Sequence, residues 1–249
     1  IATAVYVIYN LLSEGFKSGK VLRDRMTVMI ILFIFNIAFW ACFEQAGSSL
    51  TLFADRNVNR MIFGYEMGAG TTQFFNPAYI MIFGALFSIM WIKLSKIGLN
   101  PNIPMKFGLG IMQLGFGYLI VLLGSMFATD FLVPLWTIAF LYLLHTTGEL
   151  FLSPIGLSMV TKLAPKHMTG TVMGAWFLSF AGSNYVAAIL ATATGALGEG
   201  GEGGAVVSAS ESLILYTDVY TSMGLITIGI GLFLVLISKP LNKMMHGVT

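Results

Sequence analysis

The chain has 249 residues, 57% of them hydrophobic and only 10% charged, with a mean hydropathy of +0.84 and a formal net charge of +2. A soluble domain is about one quarter charged, so this composition excludes an ordinary water-soluble fold and points to an all-α membrane protein. The small net charge gives no reason to expect nucleic acid, and a single cysteine, Cys42, excludes a disulfide framework or a cysteine-based metal site.

The segment Ile1–Leu12 is apolar but lacks the basic start and cleavage site of a signal peptide, and it reads as the tail of a helix that begins earlier. Gly15–Lys20 has glycines at nearly the spacing of a phosphate loop. Val21 stands where Ser or Thr would have to bind magnesium, so the stretch reads as a plain turn. The expected division is 1–25 as the end of a helical hairpin plus a linker, and 26–249 as one six-helix transmembrane bundle.

Six stretches are long and apolar enough to cross a bilayer: about 27–54, 75–92, 105–127, 132–163, 171–197 and 219–238. The first holds Glu44, four residues after Trp40 and therefore on the same helical face. Gln45, Ser48 and Ser49 are expected to continue that polar surface outward, which suits a gate or cavity rim, although an acid reaching the interface is also compatible. Gln73, Asn76 and Pro77 open the second span. A residue before proline is pushed toward an extended conformation, which would place the Asn76 amide at a helix break facing a polar ligand; a simple helix cap is the plainer alternative.

The fourth span contains Glu149. A carboxylate at membrane depth is costly and is retained mainly where it lines a cavity, binds a partner or carries a proton. His145, Glu149 and Ser153 recur every fourth residue and read as one polar stripe. Pro154 is expected to disturb the helix one turn later and free carbonyls toward a cavity. A hydrolytic triad does not fit, because the acid lies between His145 and Ser153 and the outer two stand about 12 Å apart along the axis. In the fifth span, Ala175, Ser179, Ser183, Ala187, Ala191 and Gly195 form a small-residue seam beside Trp176. Such a seam suits close helix packing, and in a transporter it could also be a surface on which two halves rock. Gly198–Ser212 reads as a flexible acidic loop.

The loops show a charge bias. Lys17, Lys20, Arg23, Arg25, Lys93, Lys96, Lys106, Lys162, Lys166, Lys239 and Lys243 fall on one side if the spans alternate. The other side holds Arg56 and Arg60 with Asp55, Glu66, Asp130, Glu199, Glu202, Glu211 and Asp218. Positive residues mark the cytoplasmic side, so both chain ends are expected there.

Taken together, Phe39-Trp40-Ala41-Cys42-Phe43-Glu44-Gln45-Ala46-Gly47-Ser48-Ser49-Leu50, Phe75-Asn76-Pro77, Gly148-Glu149-Leu150-Phe151-Leu152-Ser153-Pro154-Ile155-Gly156, Ala164-Pro165-Lys166 and Gly174-Ala175-Trp176-Phe177 resemble the carboxy-terminal half of a proton-dependent oligopeptide transporter of the major facilitator superfamily. The resemblance implies helices seven to twelve of a two-bundle fold. It also implies proton-coupled symport of di- and tripeptides across the cytoplasmic membrane, and no cofactor beyond the coupling proton. By the family pattern Trp40, Asn76, Glu149, Ser153 and Trp176 would line the peptide site, Glu149 would couple to protons, and Glu44 would form an external gate with a basic residue of the amino-terminal bundle. The amino-terminal motifs of the family are absent from the chain. The charge inventory agrees with such a division: acids and neutral polar groups face the interior here, so a zwitterionic peptide would place its ammonium in this half. The competing readings are a related carrier for nitrate, a drug or a sugar, which gradient-driven peptide uptake would separate, and a membrane scaffold, which would have no need of buried acids.

Overall fold

The computed structural model describes residues 2–194 and 208–248, with side chains from residue 6 onward. Among the described residues, eight α-helices run in chain order: α1 Ala2–Lys17, α2 Lys20–Phe43, α3 Ser49–Asn57, α4 Phe75–Lys96, α5 Ile103–Ser125, α6 Leu135–Leu163, α7 Thr169–Ala193 and α8 Ala209–Met244. Six stretches of helix are long and apolar enough to cross a membrane, as the sequence predicts: Lys20–Asn57, Ala69–Lys96, Ile103–Ser125, Leu135–Leu163, Lys166–Ala193 and Ala209–Met244. The chain is a multi-pass membrane protein with a six-helix bundle.

Several boundaries differ from the sequence reading. Only Ser18 and Gly19 separate α1 from α2, and Gly19 takes φ 92, a turn that suits glycine. The expected linker is therefore this turn, and residue 25 lies inside α2. The last span begins at Ala209, ten residues before the expected start, because Ser208 and Glu211 form a capping box that nucleates the helix early. Glu211, Ser212 and Asp218 are accordingly helical rather than parts of a loop. The remainder of the expected acidic loop, with Glu199 and Glu202, and Gly195 of the small-residue seam lie outside the described residues.

The ends of the bundle are fastened separately. At the lysine-rich end, Nε2 of His246 lies 2.9 Å from Asp24, and Arg25 donates to the Met245 and His246 carbonyls. At the other end, Asn57 donates to the carbonyls of Phe131 and Ala209 and accepts from Ser212. Short strands β1 Val58–Asn59 and β4 Val133–Pro134 pair in parallel there, while β2 Met61–Ile62 and β3 Tyr65–Glu66 form a small antiparallel ribbon held by Arg60. Arg60 bridges Asp55 at 3.2 Å and Glu66 at 2.9 Å.

The tightest packing joins α5 to α8. Gly108 faces Gly231 and Gly115 faces Gly224, in an antiparallel crossing where each helix presents glycine every seventh residue. A Cβ at Gly115 would lie 2.7 Å from the Gly224 carbonyl oxygen, so the backbones touch. Helices in lipid have little hydrophobic drive to associate and depend on such close approach. Gly115→Leu is therefore expected to lose about 2–3 kcal/mol through forced separation of α5 and α8. Thermal unfolding in detergent should fall by roughly 5–10 °C. Gly229→Leu, where nothing lies within 4 Å, should leave the midpoint unchanged. The small-residue seam of α7 is a packing surface of the same kind: Ala175, Ser179, Ser183, Ala187 and Ala191 are all buried, and α7 packs chiefly on α2. Within the bundle it serves the packing role expected of it.

In contrast, α4 has no fully buried residue and rests mainly on α6. Its position matters for the site because it carries Asn76.

Candidate functional site

The first span does not run as one helix. It breaks at Glu44, where a 3-10 turn, Glu44–Gly47, leads through Ser48 into α3. A broken helix in a membrane must have its freed backbone groups satisfied from nearby. Tyr118 donates to the Cys42 carbonyl at 2.6 Å, Thr51 to Ala46 at 2.7 Å, and Gln45 to the carbonyls of Ala41 and Ala187 at 3.2 and 3.0 Å. Ser49 donates to the Gln45 side chain at 2.7 Å. Gln45 and Ser49 are thus fully buried and spent on repairing the break, not part of an outward polar surface as expected.

Glu44 lines a cleft of about 200 Å³ with Phe43, Gly47, Gln73, Asn76 and Tyr142. On its other side it borders a second cleft of about 300 Å³ against Asn184, Ala187 and Ala191 of α7. Among the described residues, no cation and no hydrogen-bond donor meets its carboxylate.

Asn76 joins this cleft to Glu149. Its Nδ2 donates to Oε2 of Glu149 at 3.0 Å and to Oγ1 of Thr146 at 3.1 Å, linking α4 to α6. Asn76 is helical, not extended. Proline at position 77 sits in the first turn of α4, where its missing N–H costs little, and a 3-10 turn, Ala69–Phe74, absorbs the change of direction one turn earlier. Pro154 likewise does not break α6, which runs unbroken from Leu135 to Leu163. A membrane helix tolerates the loss of one backbone bond when its neighbours pack closely around it.

The proposed polar stripe divides. Glu149 and Ser153 are partly exposed, and the Ser153 hydroxyl has no partner within the structure. His145 is 1% exposed and turned into the bundle, with its ring 4.8 Å from Tyr118 and against Gly117, where no side chain competes for space. A four-residue step rotates the helix by about 40°, enough to carry His145 off the open face. Its side chain belongs to the core.

The two tryptophans also differ. Trp40 is half-buried, packs on Phe43 at 5.0 Å and Phe180 at 4.9 Å, and leaves its indole nitrogen without a partner. Trp176 is 2% exposed and lies against Gly156, Phe33 and Phe107; it reaches Trp40 only through Phe180. The structure therefore brings Glu44 and Asn76 onto one cleft, with Glu149 bonded to Asn76 and Trp40 beside Phe43. It leaves Trp176 behind them. Thr146 was missed by sequence reasoning, although its place three residues before Glu149 puts it on the same helical face.

Comparisons with known proteins bear on this site. The PTR2 model, described as the POT family, matches residues 8–202. The chain is 31% identical over 99% of its length to dipeptide and tripeptide permease B of Yersinia enterocolitica, of which it covers 49%. It is 32% identical over 98% of its length to an uncharacterized transporter, YclF, of Bacillus subtilis, of which it covers 45%. The crystal structure of a peptide transporter POT in complex with sulfate superposes with a TM-score of 0.80 at 28% identity, over 99% of this chain and 47% of that one. The chain spans about half the length of the relatives it matches.

Proposed function

This chain belongs to the POT family, and from that premise we propose that it is the carboxy-terminal bundle, helices seven to twelve, of a proton-coupled symporter for di- and tripeptides. The bundle takes in the spans from Lys20 to Met244, and α1 would be the end of an inserted hairpin. The lysine-rich end faces the cytoplasm, following the rule that positive loops stay inside, so the protein lies in the cytoplasmic membrane with both ends of this chain on the inner side. The observation that carries the reading is the Asn76–Glu149 bond: a carboxylate deep in an apolar span, held by an amide from a second span, beside a cleft that contains Glu44.

The chemistry follows from these groups. A peptide ammonium needs an acid in a site sheltered from water, and Glu149 supplies one in a fixed orientation. Asn76 positions that carboxylate and can share its amide with the ligand. Trp40 offers an apolar wall, and the buried, unpartnered Ser153 hydroxyl and Trp40 indole N–H would reach a ligand only by a turn of their side chains. Trp176 supports Trp40 through Phe180. The peptide carboxylate would meet cations of the amino-terminal bundle. Approach of a cation to a buried acid favours its charged form, and withdrawal favours protonation. A carboxyl whose partner comes and goes with the cavity can thus take up and release a proton once per cycle.

Glu44 stands at the mouth with no cation to pair it among the described residues, and we assign it to an external gate closed by a basic residue of the other bundle. The test uses the full-length transporter in vesicles with an inward proton gradient. Dipeptide should accumulate. Glu44→Lys should lower uptake by about tenfold or more, because breaking one side of a sheltered pair leaves an uncompensated charge. Reversing the partner cation as well should restore part of it. Accumulation of nitrate or a sugar without competition by dipeptides would replace the peptide reading, and unchanged uptake by Glu44→Lys would remove the gate.

A further inference from the structure

A second constellation lies far from this cleft, at the lysine-rich end of the bundle. The connection from α4 to α5 turns at Gly98, with φ 71, and α5 starts under an Asn102 cap that accepts from the Met105 backbone at 2.9 Å. Between this turn and the end of α8 is a polar cleft of about 310 Å³ lined by Ser95, Asn100, Asn102, Lys106 and Asn242, among others. Lys106 is only 7% exposed. Its ammonium lies 4.3 Å from the centre of the Trp91 ring, so one side of the charge is covered by an aromatic face. The sequence contains no Asp or Glu between Met67 and Thr129, and none after Asp218. Among the described residues, no carboxylate or carbonyl bonds the Lys106 ammonium.

A buried cation without a counter-charge is costly. The open side of the cleft offers amides and a hydroxyl that can donate to an oxyanion. Ile92, Ile97 and Leu99 are exposed around the turn, an apolar margin suited to a membrane surface. We propose that this cleft binds a phosphate group, with Lys106 as its cation and the side chains of Ser95, Asn100 and Asn242 as neutral donors. The chemistry is shared by two sources, the phosphodiester of an anionic lipid headgroup and free inorganic phosphate. The site is separate from the transport cleft and does not depend on which solute is carried.

Trp91 supplies the readout, because an anion that draws the ammonium away from the ring changes its emission. The full-length protein in non-ionic detergent would be titrated with short-chain phosphatidylglycerol, with inorganic phosphate, and with chloride at matched ionic strength. The Trp91→Phe protein, subtracted, isolates the signal. A saturable change with both phosphate compounds, absent with chloride, is the expected result. A change with phosphatidylglycerol alone assigns the site to a lipid headgroup, and one with inorganic phosphate alone assigns it to a soluble anion. Lys106→Gln should weaken binding about tenfold or more, as loss of a charge-assisted contact does, and Lys106→Arg should keep most of it. Should Lys106→Gln fail to fold, Ser95→Leu at the exposed end of α4 fills the cleft and should weaken binding in the same direction. No saturable response, the same response to chloride, or an affinity indifferent to both changes would overturn the proposal. A carboxylate of the amino-terminal bundle occupying the cleft would produce that negative outcome.

Discussion

Glu149→Gln in the full-length transporter is expected to abolish accumulation of dipeptide against its gradient. The substitution is nearly isosteric, and the new amide oxygen can still accept from Asn76, so α4 and α6 remain joined. What disappears is the charge. Hydrogen bonds to charged groups contribute about 1.5–3 kcal/mol, so losing the contact to a peptide ammonium should cost about ten- to hundredfold in apparent affinity. The ability to exchange a proton is lost as well, and saturating peptide cannot restore that. The measurement is proton-driven uptake set beside peptide counterflow. Uptake should vanish, and counterflow should weaken to the extent of the affinity change. Gradient-driven accumulation at the wild-type level would show that Glu149 is only a structural acid tying α6 to Asn76.

Much of this arrangement was legible in the chain, and the reason is the cost of polarity in lipid. Glu149 and Glu44 stand out because apolar spans seldom keep an acid without use. Asn76 stands out by its place before Pro77. What could not be read was the bond between Asn76 and Glu149, since nothing local couples residues 73 positions apart. The helix breaks were misplaced for a related reason. Proline is a conspicuous local signal, yet α6 passes through Pro154 and α4 through Pro77 without interruption. The true break, at Glu44–Ser48, is stabilised by Tyr118, Thr51, Gln45 and the Ala187 carbonyl, two of them from other spans. Similarly, the four-residue spacing of His145 and Glu149 was correct, but Gly117 on α5 decides that the imidazole turns inward. The glycines of α5 have visible periodicity; that they meet glycines of α8 in the same seven-residue step depends on tertiary register.

The same separation of local and tertiary contacts predicts the behaviour of this chain by itself. Reconstituted in liposomes without an amino-terminal bundle, it is expected to fold and to transport nothing. Folding is supported because its strongest contacts are internal. Gly108 and Gly115 lock α5 to α8, the side chains of the chain itself repair the break in the first span, and Asn57 and Arg25 fasten opposite ends of the bundle. None of these needs a second domain. Transport is a different matter. Alternating access requires two bundles that rock about a site between them. Here α4 lies on α6 with no residue fully buried, and the carboxylate of Glu44 has no partner cation among the described residues. A single bundle offers one wall of a cavity and no opposing gate, so Glu149 has no occluded state in which a proton and a peptide could be carried together. Circular dichroism and a cooperative thermal transition would report the fold, and radiolabelled dipeptide with an imposed proton gradient would report transport. Adding the complementary six-helix half should restore uptake only while Glu149 is intact. Peptide accumulation by this chain alone would show that the second bundle is dispensable and that the gate assigned to Glu44 does not exist.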